Sequence, residues 1–178
     1  MRVLSCNVNG RVRAALGRQA DALLEHQPDI VALQEVTTGS YTGWCERFEE
    51  SGYGVVSTVD LVARPYPSPP YRSPPFPPKD KDRIQRQITR KNFNLVAARH
   101  PIELLPGLSF EDPDEARFAF PEKYVAARVT LDGHEVDVHN AHLPPGVSRG
   151  VIKAHAFEAI ARRVRMSRSS WKFRRRSR

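Results

Sequence analysis

Three polar groups each close an apolar run in this sequence, and each could do chemistry. Asn7 ends Val3-Leu-Ser-Cys6-Asn7, Gln34-Glu35 end Asp29-Ile-Val-Ala-Leu-Gln34-Glu35-Val36, and Asn140-Ala-His142 follow Val136 and Val138. An acidic residue at the end of a buried strand holds one charge rigidly at a sheet edge; the plainer alternative for Glu35 is a solvated residue where the strand exits. Asn7 can act as a turn former, or it can offer its amide oxygen to a neighbour or to a hard metal. An imidazole at His142 can donate to, or protonate, a substrate oxygen near neutral pH. It can equally be a histidine hydrogen-bonded within a loop.

The elements that must position these groups follow from periodicity and punctuation. Residues 1–9 alternate, with Val3, Ser5, Asn7 and Asn9 on one face and Leu4, Cys6 and Val8 on the other, which predicts a strand. Residues 12–26 carry Ala14, Ala15, Leu16, Ala20, Leu23 and Leu24 in one broad stripe and predict a helix, stopped ahead of Pro28. The β-branched run 29–36 is the next strand. Strand, helix, strand is compatible with two neighbouring strands whose C-terminal ends share a rim, where sites on layered α/β proteins often lie.

Further along, residues 39–43 read as a loop between glycines, 44–50 as a short helix, and 53–59 and 92–98 as strands. Residues 102–121 show no clear period and read as loop. Asp132-Gly133 between alternating runs at 124–131 and 135–140 is a strong hairpin signal. On the second of those strands Val136, Val138, Asn140 and His142 share one face. Pro144-Pro145-Gly146 then turns the chain, and Ser148 can cap a helix bearing Ile152, Phe157, Ile160, Ala161 and Val164.

The net charge of +8 does not describe a basic groove. Nine Arg or Lys and no acid lie in residues 162–178, which leaves residues 1–161 with one net negative charge. The tail 166–178 has too few apolar residues to bury a core and is expected to be disordered. Eight of the fourteen residues 65–78 are proline, a composition that favours an extended, solvated insertion. Arg83, Arg86, Arg90 and Lys91 beyond it could line a phosphate path, but read more simply as a solvated face. Two cysteines, Cys6 and Cys45, suggest free thiols in a reduced compartment. With no secretory signal and no apolar run near the roughly 20 residues of a membrane span, a cytoplasmic location is expected.

The segments "LSCNVNG", "PDIVALQEV", "NLVAARHPIE" and "VHNAHLPPG", in that order, resemble the endonuclease/exonuclease/phosphatase superfamily, the deoxyribonuclease-like, metal-dependent phosphoesterases. The resemblance covers residues 1–164. It implies an α+β fold, part of a two-sheet α/β sandwich with one sheet largely complete and the second incomplete, over residues 1–165. It implies that Glu35 binds the metal, Mg²⁺ or Mn²⁺, that Asn7 helps to hold metal and phosphate, and that His142, with Asn140 beside it, hydrogen-bonds the phosphate. Gln34 is expected to brace Glu35 rather than bind metal itself. The expected partner is a phosphoester substrate, nucleic acid among the candidates.

The sequence also departs from that pattern. The superfamily's Gly-Asp-x-Asn motif, whose Asp orients the attacking water, and its final Asp-His pair are both absent here. The resemblance therefore implies a phosphoesterase whose catalytic set is incomplete and whose activity is impaired. The alternative is a non-catalytic fragment, or a nucleic-acid-binding protein using its basic C-terminal arm. An arginine-serine tail in place of an apolar strand is what a change of reading frame after about residue 165 would produce.

Overall fold

β1 (Val3–Asn7) and β2 (Ile30–Val36) pair in parallel, Val3 opposite Ile30 and Asn7 opposite Gln34. The helix between them, α1 (Arg13–Glu25), returns the chain so that both strands end at one rim, an arrangement with which the strand-helix-strand pattern is compatible. The structure, a computed structural model, describes residues 1–10, 12–62, 92–107, 123–143 and 150–174, with side chains over 153–165 in the last segment. The described residues through His142 form one compact unit and those from Leu143 onward a second.

In the first unit β2 also pairs antiparallel with β4 (Phe93–Ala98), and β4 with β3 (Gly54–Ser57), giving a four-stranded sheet in the order β1-β2-β4-β3. A second, antiparallel sheet has the order β5-β6-β7, from β5 (Ile102–Leu104), β6 (Tyr124–Leu131) and β7 (His134–Ala141). Period-2 geometry divides the first sheet between two cores. Val31, Leu33, Leu95 and Ala97 pack with Leu16 and Ala20 of α1 and with Trp44 and Phe48 of α2 (Thr38–Glu50). Ile30, Val56, Val96 and Ala98 face Leu104, Val125, Ala127 and Val129 of the second sheet. Each large side chain so buried stabilises the fold by about 1.5–3 kcal/mol. The architecture is the expected partial α+β sandwich, four strands against three. At its β1 edge Val3 stays 48% exposed.

The predicted hairpin is present. Leu131 pairs with His134 across Asp132 and Gly133, at φ 47° and 77°; positive φ at both central residues is the turn that Asp-Gly favours. Cys6 and Cys45 are free thiols. Among the described residues, no helix is long and apolar enough to cross a membrane.

Several expectations are corrected. Residues 39–43 are helical, because α2 begins at Thr38 behind a capping box of Thr37 and Ser40. Gly43 lies where a Cβ would meet Leu16 Cδ1 at 3.3 Å, so this glycine admits a close neighbour rather than breaking the helix. The strand expected over 53–59 ends at Ser57, and α3 (Thr58–Val62) follows. Asp60 Oδ2 there accepts from the Ser57 backbone N–H at 2.7 Å. β5 lies inside the stretch read as loop; three residues are too few to show a period. α4 (Gly150–Arg174) continues past Val164 into the basic tail; arginine and lysine are good helix formers. The proline-rich insertion 65–78, the polar stretch 79–91, the turn at Pro144-Pro145-Gly146 and the Ser148 cap lie outside the described residues.

Candidate active site

Glu35 sits on a β-bulge. Leu33 pairs with Leu95 and Val36 with Phe93, so two residues of β2, Gln34 and Glu35, stand opposite one residue of β4, Asn94. Such an extra residue bends the strand and re-aims a side chain. It also resets the alternation: Val36 joins Leu33 in the helix-side core, while Asn94 takes the opposite face. Glu35 absorbs the irregularity at φ 61°, a left-handed conformation that costs a residue with a Cβ roughly 1–2 kcal/mol. Its carbonyl accepts from Gly10 N at 3.0 Å, and that of Gln34 from Val8 N at 2.9 Å, which ties the bulge to the chain leaving β1. The Glu35 side chain is 22% exposed.

His142 follows the end of β7, and its backbone N–H donates to the Lys123 carbonyl at 2.8 Å. Its Nε2 stands 3.7 Å from Glu35 Oε1. Its Nδ1 is buried without a hydrogen-bond partner among the described residues, which leaves Nε2 as the nitrogen a substrate oxygen can reach. Burial pushes the imidazole below its ordinary value, the nearby Lys123 ammonium pushes the same way, and Glu35 opposes both. At neutral pH His142 is therefore mainly neutral, and its closeness to Glu35 is not an ion pair there.

Asn140 is buried, 3% exposed, and both of its amide protons are engaged. Nδ2 donates to Leu33 O at 2.8 Å and Leu95 O at 2.9 Å, and Oδ1 accepts from Gln34 Nε2 at 2.8 Å. The resemblance sets Asn140 beside His142 at the phosphate, but both of its amide protons are spent on the first sheet. Gln34 Nε2 also reaches Ser5 Oγ at 3.1 Å and Ala32 O at 3.2 Å, so it braces the strand that carries Glu35. Asn7 Oδ1 accepts from the Asn9 backbone N–H at 2.9 Å. It thus serves as a turn former, and its oxygen keeps a second lone pair.

Among the described residues no group of three or more His, Cys, Asp or Glu could hold a metal. One carboxylate (Glu35) and one amide oxygen (Asn7) on adjoining strand ends do not fit Zn²⁺, which asks for four nitrogen or sulfur ligands or three and a water. They do fit Mg²⁺ or Mn²⁺, hard cations bound through one or two protein oxygens with several waters retained.

Two residues at this site were not singled out in the sequence. Asn94 is fully buried and donates from Nδ2 to Lys123 O at 2.6 Å and Asn140 O at 3.1 Å. Its signal was available: an amide as the second residue of the otherwise apolar run of β4. Lys123 precedes β6, and its ammonium donates to the Asn92 carbonyl; no local pattern marks it.

No protein-family model matches the chain, and no curated protein matches it. Solved structures do. A humanized TDP2 of D. rerio is 14% identical over 93% of this chain and 56% of its own, with a TM-score of 0.56. D. rerio TDP2 complexed with single-strand DNA product gives 14% identity, 93% and 54% coverage and a TM-score of 0.56. The 3′ phosphatase NExo from Neisseria, bound to a product DNA hairpin, gives 17%, 95% and 53%, with a TM-score of 0.54. The chain spans little more than half the length of these structures, and at such identities the likeness is one of fold. Its sheets, their order and this likeness agree: the chain has the fold that TDP2 and NExo share, over little more than half of its length.

Proposed function

We propose that this chain carries the metal- and phosphate-binding half of a phosphoester hydrolase site, with nucleic acid as the substrate class. The observation that supports this most directly is Glu35, turned out by a strained bulge to within 3.7 Å of His142. Strain of this kind persists where the surrounding structure enforces it, and it collects at functional sites. Glu35 and Asn7 would hold Mg²⁺ or Mn²⁺, which supplies, when bound, positive charge against a phosphoryl oxygen. His142 presents Nε2 to the space beside Glu35 and, carrying a proton there, donates to a phosphate oxygen as negative charge develops on it. Lys123 adds a positive charge close enough to depress His142, which suits an anionic substrate. The DNA products bound by TDP2 of D. rerio and by NExo favour nucleic acid over other phosphoesters.

Because Gly-Asp-x-Asn and the Asp-His pair are absent from the sequence, these residues bind and polarise but bring no base for the attacking water. General-base catalysis is typically worth about 10²–10⁴-fold, so turnover by this chain should be low. The test is cleavage of plasmid DNA and of a chromogenic phosphodiester at high protein concentration, with and without Mg²⁺. Metal-dependent cleavage that disappears in Glu35→Ala and His142→Ala supports the reading. Cleavage indifferent to Mg²⁺ or to Glu35, or none at all, removes it.

A second reading is favoured by α4, which extends a run of basic residues to Arg174 in regular helix. On this reading the chain binds nucleic acid through phosphates without cleaving it, with an affinity that falls steeply as salt rises. Deletion of residues 166–178 should then abolish DNA binding; a truncated protein that binds equally well in 0.2 M salt, a concentration on the order of those that weaken phosphate contacts, would end this reading.

A further inference from the structure

Two buried asparagines reach in opposite directions between the sheets at the level of the Glu35 bulge. Asn140, on the second sheet, sends both amide protons to the first: to Leu33 O at 2.8 Å, just before the bulge, and to Leu95 O at 2.9 Å, opposite it. Asn94, the residue that the bulge faces, sends its amide to the second sheet: to Lys123 O at 2.6 Å and to Asn140 O at 3.1 Å. The Lys123 carbonyl is also the acceptor for the His142 backbone N–H. Each asparagine therefore grips backbone beside the other's strand, and the grips fall beside Glu35 on one sheet and His142 on the other.

We propose that Asn94 and Asn140 are positioning residues, a reciprocal clasp that sets the separation of Glu35 from His142. The inference rests on the reading of those two residues as the site. Apolar packing alone cannot set that separation, since the inter-sheet core of Ile30, Val96, Val125 and Ala127 is non-directional and tolerates small slides. Hydrogen bonds from fixed amides to named carbonyls do not tolerate them, because such bonds weaken steeply with distance and angle. Neither amide is the economical choice for packing. An apolar side chain would fill either site without the cost of burying polar atoms, and Asn94 Oδ1 has no partner among the described residues. A polar pair kept at such a cost, beside the strained backbone of Glu35, acts on geometry rather than on stability alone.

The experiment uses the full chain and three single variants: Asn94→Ala, Asn140→Ala, and Val129→Ala as a packing control in the same inter-sheet core, where Val129 pairs with Val136 away from the bulge. Mn²⁺ is the probe. Its affinity is read by electron paramagnetic resonance of the free ion, and its proximity to His142 by paramagnetic broadening of the His142 ring resonances. Loss of a residue that orients a metal ligand typically costs about 10–100-fold in metal affinity. That loss is expected in Asn94→Ala and Asn140→Ala, together with altered His142 broadening at saturating Mn²⁺. Val129→Ala should lose stability and move neither readout. Wild-type affinity and broadening in a folded Asn94→Ala would overturn the clasp, as would an equal loss in Val129→Ala. Should Asn140→Ala not fold, Asn94→Ala decides alone. If the wild type binds no Mn²⁺ through Glu35, the metal reading fails, and solvent exchange of the two side-chain amides decides the clasp. Slow exchange of both supports it, and exchange as fast as that of an exposed amide overturns it.

Discussion

His142 Nε2 and Glu35 Oε1 stand 3.7 Å apart, although one closes a strand of the second sheet and the other bulges from the first. Neither strand could bring them together by itself. Their closeness makes the properties of each depend on the other, and on the backbone irregularity that aims the carboxylate.

The strain at Glu35 predicts a conflict between stability and function. Glu35→Ala and Glu35→Gly both remove the carboxylate, but only glycine adopts φ 61° without a Cβ penalty. Glu35→Gly should be more stable than Glu35→Ala by about 1 kcal/mol in urea unfolding, and neither should bind Mn²⁺. Equal stabilities would mean that the bulge relaxes when its carboxylate is lost.

The opposed influences on His142 can be separated by titrating its ring by NMR. Glu35→Gln removes the one interaction that raises its pKa and should lower it further, whereas Lys123→Met should raise it. A folded-state value depressed below the ordinary 6.5 means that the unfolded chain takes up the proton first. The stability linked to His142 is therefore complete above pH 6.5 and lost as pH falls through the depressed folded value. A His142→Gln chain should show a flatter stability profile over that window. A shift in the same direction for both charge variants would contradict the assigned causes.

Asp29 predicts a second, more acidic window. The Arg2 backbone N–H holds its carboxyl below the ordinary carboxylate value of 3.8, with help from the N-terminal ammonium at 3.7 Å and His100 at 3.6 Å. A depressed carboxylate contributes stability above its unfolded value and loses it as pH falls through the folded one. Asp29→Asn should thus be less stable than the parent at neutral pH, with the gap closing below pH 3.8. A gap that stays constant into acid would show that Asp29 acts through its hydrogen bonds and not its charge.

Packing between the sheets predicts a steric limit at Gly54. A Cβ there would lie 2.7 Å from Ile102 Cγ2, so β3 meets β5 only because the side chain is absent. Gly54→Ala should cost about 1–3 kcal/mol by overpacking, and the cost should shrink when Ile102→Ala is made in the same chain. Strictly additive losses in thermal unfolding would place the strain elsewhere.

Much of this architecture was legible because it is written in local periods. Alternation in β1, the stripe of α1 ahead of Pro28, and Asp132-Gly133 between strands each act over a few residues, where backbone sterics and side-chain direction dominate. The misread elements had signals of the same local kind but weaker. Thr37 with Ser40 and Ser57 with Asp60 are helix-start pairs that the neighbouring glycines and valines masked. Of the candidate site, Asn7, Glu35, Asn140 and His142 stood out at the ends of apolar runs, but a role for each came from the resemblance and not from those places.

What the sequence determined by itself is therefore most of the inventory: the strands and helices other than α3 and β5, and the polar residues that end them. Tertiary structure alone decided how those residues are employed. The bulge that turns Glu35 outward is a property of the pairing between β2 and β4, and the spending of Asn140 on Leu33 and Leu95 is a property of one sheet lying on the other. Both depend on contacts between residues far apart in the chain, whose geometry is set by the summed packing of two sheets and by no local propensity. Glu35 reads in the sequence as the last charge on a strand; in the fold strained backbone carries its carboxylate, which stands opposite His142.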